Sequence, residues 1–383
     1  MMKKILIYSG SRADFGIMKN LIKDLKKNKS INTQLLVGGS HYSNKLNYTF
    51  NEIKKNNIKI DIKSKINLLN TTNVEILKFF SKSIIDYTKI LNLQKPNLVI
   101  VLGDRYETYA LVIAAFFLRI KIAHIHGGEL TSGSFDDSIR HSISKLSNFH
   151  FVTHKVYKKR LIQLGEDQKT IFLVGSLGVQ NFLGSPKRTR SKLFKKYKIP
   201  KNKKVILVTF HPETNSKISL KKQINILMSS LKFFKDIYFI FTYNNLDTGG
   251  IDFIKKLKNL NKKNKNILIM KSLGSNLYYE FIENVDLVMG NSSSGIIEVP
   301  SSKTPSLDIG TRQQGRIKSS NIYSCELKKE PIINTIKKIL NKKKIKSKNV
   351  YFQKNTKEKI VNILIKLLKI KNYKVKKFVD INF

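Results

Sequence analysis

The chain has 383 residues, 41% of them hydrophobic, which is enough for two hydrophobic cores of ordinary domain size. Lys and Arg outnumber Asp and Glu by 72 to 26, so the formal net charge is +46. Most of these cations are Lys spread over helix-like segments without interleaved aromatic residues, which argues against a nucleic-acid partner despite the charge.

The first half of the chain alternates short apolar runs with helix-like segments. Met1 leads directly into the first run without an apolar leader, and the longest apolar stretch, Ala110–Leu118, is shorter than the roughly 20 residues of a membrane span. We therefore expect a cytoplasmic protein with no membrane partner. The predicted strands are Lys4–Tyr8, Thr33–Val37, Asn97–Leu102, Lys121–Ile125, His150–Thr153 and Ile171–Val174, and the predicted helices include Phe15–Lys27, Asn73–Leu93 and Glu107–Leu118.

A second series of strands follows the polar stretch Gly184–Ser191. Its predicted strands are Lys204–Thr209, Ile237–Thr242, Asn266–Met270, Leu287–Met289 and Pro305–Asp308. Short strands that alternate with helices indicate parallel, doubly wound sheets. The predicted fold class is α/β, with two Rossmann-like doubly wound domains facing a cleft. The predicted boundaries are 1–183 for the N-terminal domain, 184–355 for a C-terminal nucleotide-binding domain, and 356–383 for a C-terminal helix that packs back across the pair.

Charged residues follow the first and third predicted strands. Arg12 lies in Ser9–Gly16, a Gly-containing turn that lacks the Walker and dinucleotide patterns but suits a single phosphate or a nucleoside edge. Asp104 and Arg105 come directly after a strand, where burial and the neighbouring cation act on the carboxyl pKa in opposite directions. Such a carboxylate is a candidate acid or base. The alternatives are a surface ion pair for Arg12 and a helix N-cap for Asp104.

Histidines and further carboxylates follow the next strand and one strand of the second series. His124 and His126 alternate along the chain, Glu129 lies beyond a Gly-Gly turn, and Asp136 comes shortly after. His and carboxylate side chains are zinc ligands, but the chain has a single Cys, and acid–base chemistry explains the same residues without a metal. His211 lies on the loop after a strand, where an imidazole exchanges protons near neutral pH. We predict no metal site.

The clearest binding motif is Gly290–Glu298, directly after an apolar strand. Ser292 and Ser293, with the backbone N–H groups at the start of a helix, suit an anion such as a diphosphate. Glu298, one turn later, suits a ribose hydroxyl. Arg312 follows the next strand, and its guanidinium is able to bind phosphate with two donors. The alternative for the serines is an ordinary N-cap on a packed helix.

Taken in order, these motifs resemble the UDP-N-acetylglucosamine 2-epimerase family, and more closely its hydrolysing branch. The resemblance covers nearly the whole chain. It implies a GT-B-type pair of domains, homodimers or homotetramers, a small nucleotide-sugar substrate, and no cofactor. The motifs that carry it are Arg12-Ala-Asp, Gly103-Asp-Arg, Asp136-Asp-Ser-Ile-Arg-His, His211-Pro, Asn245-Leu-Asp-Thr-Gly, Gly290-Asn-Ser-Ser and Gly310-Thr-Arg-Gln-Gln-Gly-Arg.

The resemblance also implies the chemistry. Such enzymes eliminate UDP from the sugar to give a glycal, and hydrolysing members then add water to release the free 2-epimer for sialic and legionaminic acid synthesis. Carried over by position, Asp104, Asp136 and His211 match acid–base residues, with His126 and Glu129 as further candidates. The residues assigned to UDP are Arg12, Arg105, Asn245, Ser292, Ser293, Glu298 and Arg312.

His126 departs from the family pattern. Members that act on UDP-N-acetylglucosamine commonly carry Glu there, whereas His resembles the branch that acts on UDP-N,N'-diacetylbacillosamine. Gly16 likewise stands where a Ser often contacts the nucleotide. The sequence therefore leaves both sugars open as substrates. The competing functions are a non-hydrolysing epimerase, which returns UDP to the sugar, and a GT-B glycosyltransferase.

Overall fold

The computed structural model describes residues 2–42, 49–66, 72–213, 215–243, 250–262, 264–271, 273–343, 347–370 and 375–381. The chain divides into two compact units. The first comprises Met1–Glu129, Asp136–Asn181 and Tyr351–Phe383, and the second comprises Leu130–Phe135 and Phe182–Val350. The short segment Leu130–Phe135 thus groups with the second unit, and the C-terminal segment groups with the first.

The first unit is built on a parallel seven-stranded sheet of order β3-β2-β1-β4-β5-β6-β7. Its strands are β1 (Lys3–Ser9), β2 (Ile31–Val37), β3 (Ile62–Lys63), β4 (Leu98–Leu102), β5 (Lys121–Ile125), β6 (Phe149–Val152) and β7 (Ile171–Leu173). Its helices are α1 (Arg12–Lys27), α2 (Phe50–Lys55), α3 (Asn73–Gln94), α4 (Tyr106–Phe117), α5 (Asp136–Leu146) and α6 (Lys155–Gln163), and α7 (Leu177–Leu183) leads into the second unit.

Helices cover both faces of this sheet, which is why its central strands are almost continuously apolar. Ile5 and Ile7 of β1 pack in one core, and Leu6 and Tyr8 pack in another on the opposite face. Ser11 caps α1, because its hydroxyl accepts the Asp14 backbone N–H. Two buried cores thus hold β1 and β4 in place from both sides.

The second unit has a parallel six-stranded sheet of order β10-β9-β8-β11-β12-β13. Its strands are β8 (Lys204–Thr209), β9 (Ile237–Thr242), β10 (Ile267–Met270), β11 (Leu287–Gly290), β12 (Ser306–Ile309) and β13 (Ile322–Cys325). Its helices are α8 (Arg190–Lys196), α9 (Leu220–Lys232), α10 (Gly250–Lys262), α11 (Gly274–Asn284), α12 (Ser294–Ile297) and α13 (Lys329–Leu340).

The last helix, α14 (Thr356–Lys369), belongs to the first unit. Its residues Ile360 and Leu364 are buried in the same core as Ile5 and Ile7. The Thr356 hydroxyl donates to the Val174 carbonyl at 2.8 Å, which fixes the start of the helix. Within the part of the chain that the structure describes, no helix is long and apolar enough to cross a membrane.

The predicted fold class is confirmed, and all eleven predicted strands form. Two edge strands were missed. β3 has only two residues, and β13 is half-buried with a polar Ser324 in its middle, so neither shows the apolar run on which strand prediction depends.

Candidate functional site

The loops after β1 and β4 carry a buried group of ionisable side chains. Arg105 Nε donates to Glu107 Oε1 at 2.8 Å, and both side chains are less than one tenth exposed. Asp14 accepts the Gly10 N–H at 3.2 Å. Burial raises the pKa of Asp14 to about 7, although the Arg105 charge opposes the rise. The sequence indicated Arg12 and Arg105 as binding residues but gave no role to Asp14, two residues after Arg12, or to Glu107, two residues after Arg105.

Arg140 of α5 connects the loops after β4 and β5. Its Nη2 donates to Asp104 Oδ2, and its Nη1 donates to the His126 carbonyl at 2.9 Å. The Arg140 side chain is 3% exposed, so this ion pair lies largely out of water. The N-cap of α4 is Arg105 and not Asp104, which removes the helix-cap explanation for Asp104. Asp136 is the first residue of α5, four residues before Arg140 and hence on the same helix face.

His126 and Glu129 lie side by side after β5. His126 Nδ1 is 3.1 Å from Glu129 Oε1, and the same oxygen accepts the Thr153 hydroxyl at 2.9 Å. Both residues are buried. Sequence reasoning found His126 and Glu129 but missed Thr153, which follows the neighbouring strand β6. The structure therefore brings Asp104, His126 and Glu129 into one region of the first unit.

His124 has a structural position. Its Nε2 donates to the Gly103 carbonyl at 2.7 Å, so Nδ1 accepts the Ser144 hydroxyl at 3.0 Å. Burial holds its pKa well below the ordinary value, and the ring stays neutral. Both nitrogens are thus occupied in holding the chain just before Asp104. Among the described residues, no group of three or more His, Cys, Asp or Glu side chains is arranged to hold a metal ion.

In the second unit, Asn291 connects the loops after β8 and β11. It exchanges two hydrogen bonds with the His211 backbone, each 2.7 Å long. Its own carbonyl accepts Arg312 Nη1 at 3.2 Å and Gln313 Nε2 at 2.9 Å. His211 and Arg312 are therefore both anchored to one residue. Asn291 lies within the Gly290-Asn-Ser-Ser motif, but the sequence alone assigned it no role.

Glu213 holds the turn that carries Arg312. Its Oε1 accepts the backbone N–H groups of Thr311 and Arg312 at 2.7 and 2.9 Å, and its Oε2 accepts the Thr311 hydroxyl at 3.0 Å. Gly310 has φ +86°, and a Cβ there would lie 2.3 Å from Glu213 Oε1. Only glycine fits this position. A Cβ at Gly133, in the short segment of the second unit, would lie 2.6 Å from the Arg312 backbone.

The serine motif differs from its prediction in one respect. The helix after Gly290 is α12, a single turn, and the residue before it, Ser293, makes no side-chain cap. A helix therefore begins after Gly290 as predicted, but it is one turn long with Glu298 as its C-cap, and the alternative of an ordinary side-chain N-cap is wrong. Ser292 and Ser293 are half-buried, and Glu298 is buried. Asn245 lies outside the described residues.

Two parallel, doubly wound α/β units, each with charged side chains after its strands, define a two-domain Rossmann-like protein. Ligands of such sheets bind at these strand ends. The family described as UDP-N-acetylglucosamine 2-epimerase matches residues 23–365, and the chain belongs to this family.

Relatives with similar sequences occur in several bacteria. A GDP/UDP-N,N'-diacetylbacillosamine 2-epimerase (hydrolyzing) of Campylobacter jejuni is 36% identical over 85% of this chain and 85% of its own. The polysialic acid biosynthesis protein P7 of Escherichia coli is 38% identical over 88% of this chain and 85% of its own. A UDP-N,N'-diacetylbacillosamine 2-epimerase (hydrolyzing) of Legionella pneumophila is 33% identical over 90% of both chains.

Solved structures share the fold. Staphylococcus aureus MnaA, solved with UDP, has a TM-score of 0.79 at 20% identity over the whole of both chains. The UDP-GlcNAc 2-epimerase of Neisseria meningitidis, bound to UDP-GlcNAc, has a TM-score of 0.77 at 20% identity over 95% of this chain and 100% of its own. The predicted family and the GT-B-type fold class are confirmed.

Proposed function

We propose that the protein is a hydrolysing 2-epimerase. It eliminates UDP from a UDP-2-acetamido sugar and adds water, releasing the free manno-configured 2-epimer. One observation carries the proposal: relatives named as hydrolysing 2-epimerases are 33 to 36% identical over 85 to 90% of the chain. The ionisable side chains of the first unit support it, because this chemistry requires groups that accept and donate protons.

We assign the chemistry at the sugar C2 to the first unit. Arg140 contacts both Asp104 Oδ2 and the His126 carbonyl and so fixes the Asp104 carboxylate beside the loop after β5, which makes Asp104 our candidate for removing the C2 proton. Asp136 is a second candidate, since it lies at the start of the same helix as Arg140. His126 and Glu129 complete the group.

We assign UDP to the second unit. The Arg312 guanidinium and the hydroxyl and N–H groups of Ser292 and Ser293 are fixed donors for the diphosphate, whose charge grows as the C1–O bond breaks. His211 is the acid–base candidate of this unit, and Glu298 is assigned to a ribose hydroxyl. Arg12, Arg105 and Asn245 remain predicted UDP contacts.

Two of the relatives reported above act by name on a UDP-N,N'-diacetylbacillosamine. We therefore expect this sugar to be preferred over UDP-N-acetylglucosamine, with the product entering nonulosonic acid synthesis.

The single free Cys325 fits a cytoplasmic setting. Exposed apolar side chains on α3 and at the end of α4 support a homo-oligomer, which buries them. They include Val74, Leu77, Ile85, Leu93 and Phe117.

The test is mass spectrometry of the products from both nucleotide sugars in H₂¹⁸O and in D₂O. We expect UDP without ¹⁸O, and a free sugar with one ¹⁸O and one deuteron at C2. Label in the UDP phosphate would show attack at phosphorus and refute elimination. Recovery of nucleotide-linked epimer alone would make the protein a non-hydrolysing epimerase.

A further inference from the structure

The contact between His126 and Glu129 fixes the position of one proton. A carboxylate accepts hydrogen bonds and does not donate them, so His126 Nδ1 carries the hydrogen in its 3.1 Å contact with Glu129 Oε1. Thr153 donates to the same oxygen and holds it in place. In a neutral His126 the lone pair therefore lies on Nε2, which is buried and has no hydrogen-bond partner among the described residues.

The His126 backbone is held just as closely. Its N–H donates to the Phe151 carbonyl at 3.0 Å, and its carbonyl accepts Arg140 Nη1 at 2.9 Å. Its φ of +67° lies in the left-handed region, which costs a residue other than glycine about 1 to 3 kcal/mol. Such a conformation persists where its surroundings enforce it, and it occurs often at active sites. The imidazole is thus fixed with Nε2 as its one atom able to exchange a proton.

Charged groups from several elements surround this pair. Arg140 of α5 lies on the His126 carbonyl, and Asp104 of the loop after β4 neutralises that Arg. His124 of β5 is nearby and neutral. Arg160 of α6 donates to the Gly128 carbonyl at 2.5 Å. With Nε2 protonated the His126–Glu129 pair has net charge 0, and without that proton it has −1. When the pair gains or loses this proton, its net charge changes between −1 and 0, as the charge of a single carboxyl group does.

We propose that His126 Nε2 delivers the proton to C2 of the sugar in the water-addition step, with Glu129 and Thr153 as positioning residues. The inference rests on the proposed function. In the first step a base removes the C2 proton, its electron pair forms the C1=C2 bond, and UDP leaves with the C1–O pair. In the second step the oxygen of water bonds to C1, and the electron pair of the C1=C2 double bond takes the proton from Nε2 to form the C2–H bond. The proton lost by water restores the imidazolium.

The first experiment needs no catalysis. In protein labelled with ¹⁵N-histidine, His126 is assigned by loss of its signals in His126→Gln, and its tautomer is read from the nitrogen shifts at alkaline pH. We expect hydrogen on Nδ1 in the wild type and a mixture of tautomers in Glu129→Gln. Hydrogen on Nε2 of the neutral wild-type ring would overturn the proposal.

The second experiment measures UDP, glycal and free sugar separately. In His126→Gln, we expect release of free sugar to fall by a factor on the order of 10² or more while the glycal appears beside UDP. Glu129→Gln should release the same products, glycal beside UDP, and Thr153→Val should release a smaller fraction of glycal. Equal loss of UDP and sugar without glycal would place His126 in elimination and overturn the donor role.

Glu166→Gln is the matched control. His150 Nε2 and Glu166 Oε2 form another buried pair, 3.0 Å apart, in the same unit. Like Glu129→Gln, this variant removes a buried carboxylate from its histidine partner and should destabilise the fold to a similar extent. It should nevertheless release free sugar without glycal. If it releases glycal too, the effect of Glu129→Gln is structural and the proposal is wrong. A wild type that releases no free sugar would refute the proposed function and the donor role, while the tautomer would still be decided by the nitrogen shifts.

Discussion

Substitution of Glu213 tests whether a buried carboxylate sets the position of the Arg312 guanidinium. Glu213 is 3% exposed and accepts three hydrogen bonds from Thr311 and Arg312, at 2.7, 2.9 and 3.0 Å. Hydrogen bonds to charged groups contribute about 1.5 to 3 kcal/mol each, and bonds that share one acceptor group do not add fully. Glu213→Ala removes this acceptor from the partly buried N–H groups of Thr311 and Arg312. We expect it to lower the free energy of unfolding by about 3 to 6 kcal/mol.

Glu213→Gln separates charge from hydrogen bonding. The Gln side-chain oxygen still accepts the two backbone N–H groups, so we expect a loss of about 1 to 2 kcal/mol, the scale of a neutral hydrogen bond. UDP affinity should follow the same order, because Arg312 loses its fixed position more completely in the Ala variant. The measurements are urea unfolding and calorimetric titration with UDP.

The control is Glu326→Gln in the same unit. Glu326 is exposed and pairs with Lys328 at the surface, so its loss should change neither unfolding nor UDP binding. If Glu213→Ala unfolds at the same urea concentration as the wild type and binds UDP equally well, the turn is held by other contacts. Equal damage from the Gln and Ala variants would show that charge, and not the two N–H bonds, is decisive.

Three further predictions concern single side chains. Asp104→Asn should lower turnover by a factor on the order of 10² or more with UDP binding unchanged; near-wild-type turnover would remove Asp104 from catalysis. Arg312→Ala should weaken UDP binding by about 1.5 to 3 kcal/mol, and an unchanged dissociation constant would place the diphosphate elsewhere. Burial raises the pKa of Asp14 to about 7, so between about pH 4 and pH 7 the carboxyl ionises in the unfolded state while it stays protonated in the native state. The free energy of unfolding therefore falls as pH rises through this range. Asp14→Asn should therefore gain stability relative to the wild type between pH 5 and pH 8 in urea unfolding, and a constant difference would contradict the raised pKa.

The sequence indicated which polar residues follow the apolar strands, but it did not indicate which residues fix the positions of those side chains by hydrogen bonds. Asp104, His126 and His211 stand directly at strand ends, where a charged or titratable side chain interrupts an apolar run and is visible without a structure. Glu213 and Thr153 are ordinary loop residues in the sequence. Their partners lie 98 and 24 positions away along the chain, and no local pattern marks such pairs.

The short helix α12 shows how a tertiary contact limits a local preference. The Gly290–Glu298 motif has the composition of a capped helix, but the structure continues it for a single turn. Gly290 has φ +135°, and a Cβ there would lie 1.9 Å from the Thr209 carbonyl oxygen. The close approach of β8 requires this glycine and sets the direction of the chain beyond it. Tertiary contact with Thr209 of β8, 81 residues earlier in the sequence, thus overrides the local preference.

The two kinds of buried residue in the first unit have opposite energetic roles. Ile5, Leu6 and their neighbours are buried in apolar cores and stabilise the fold. Arg105, Glu107 and Arg140 are buried charges, and well-packed apolar groups in the place of such pairs are often neutral or stabilising. These charges are concentrated on the loops after β4 and on α5, next to Asp104 and His126. Stability alone does not explain that distribution, whereas the acid–base chemistry that we propose for these strand ends would, because it needs fixed charges in a water-poor environment.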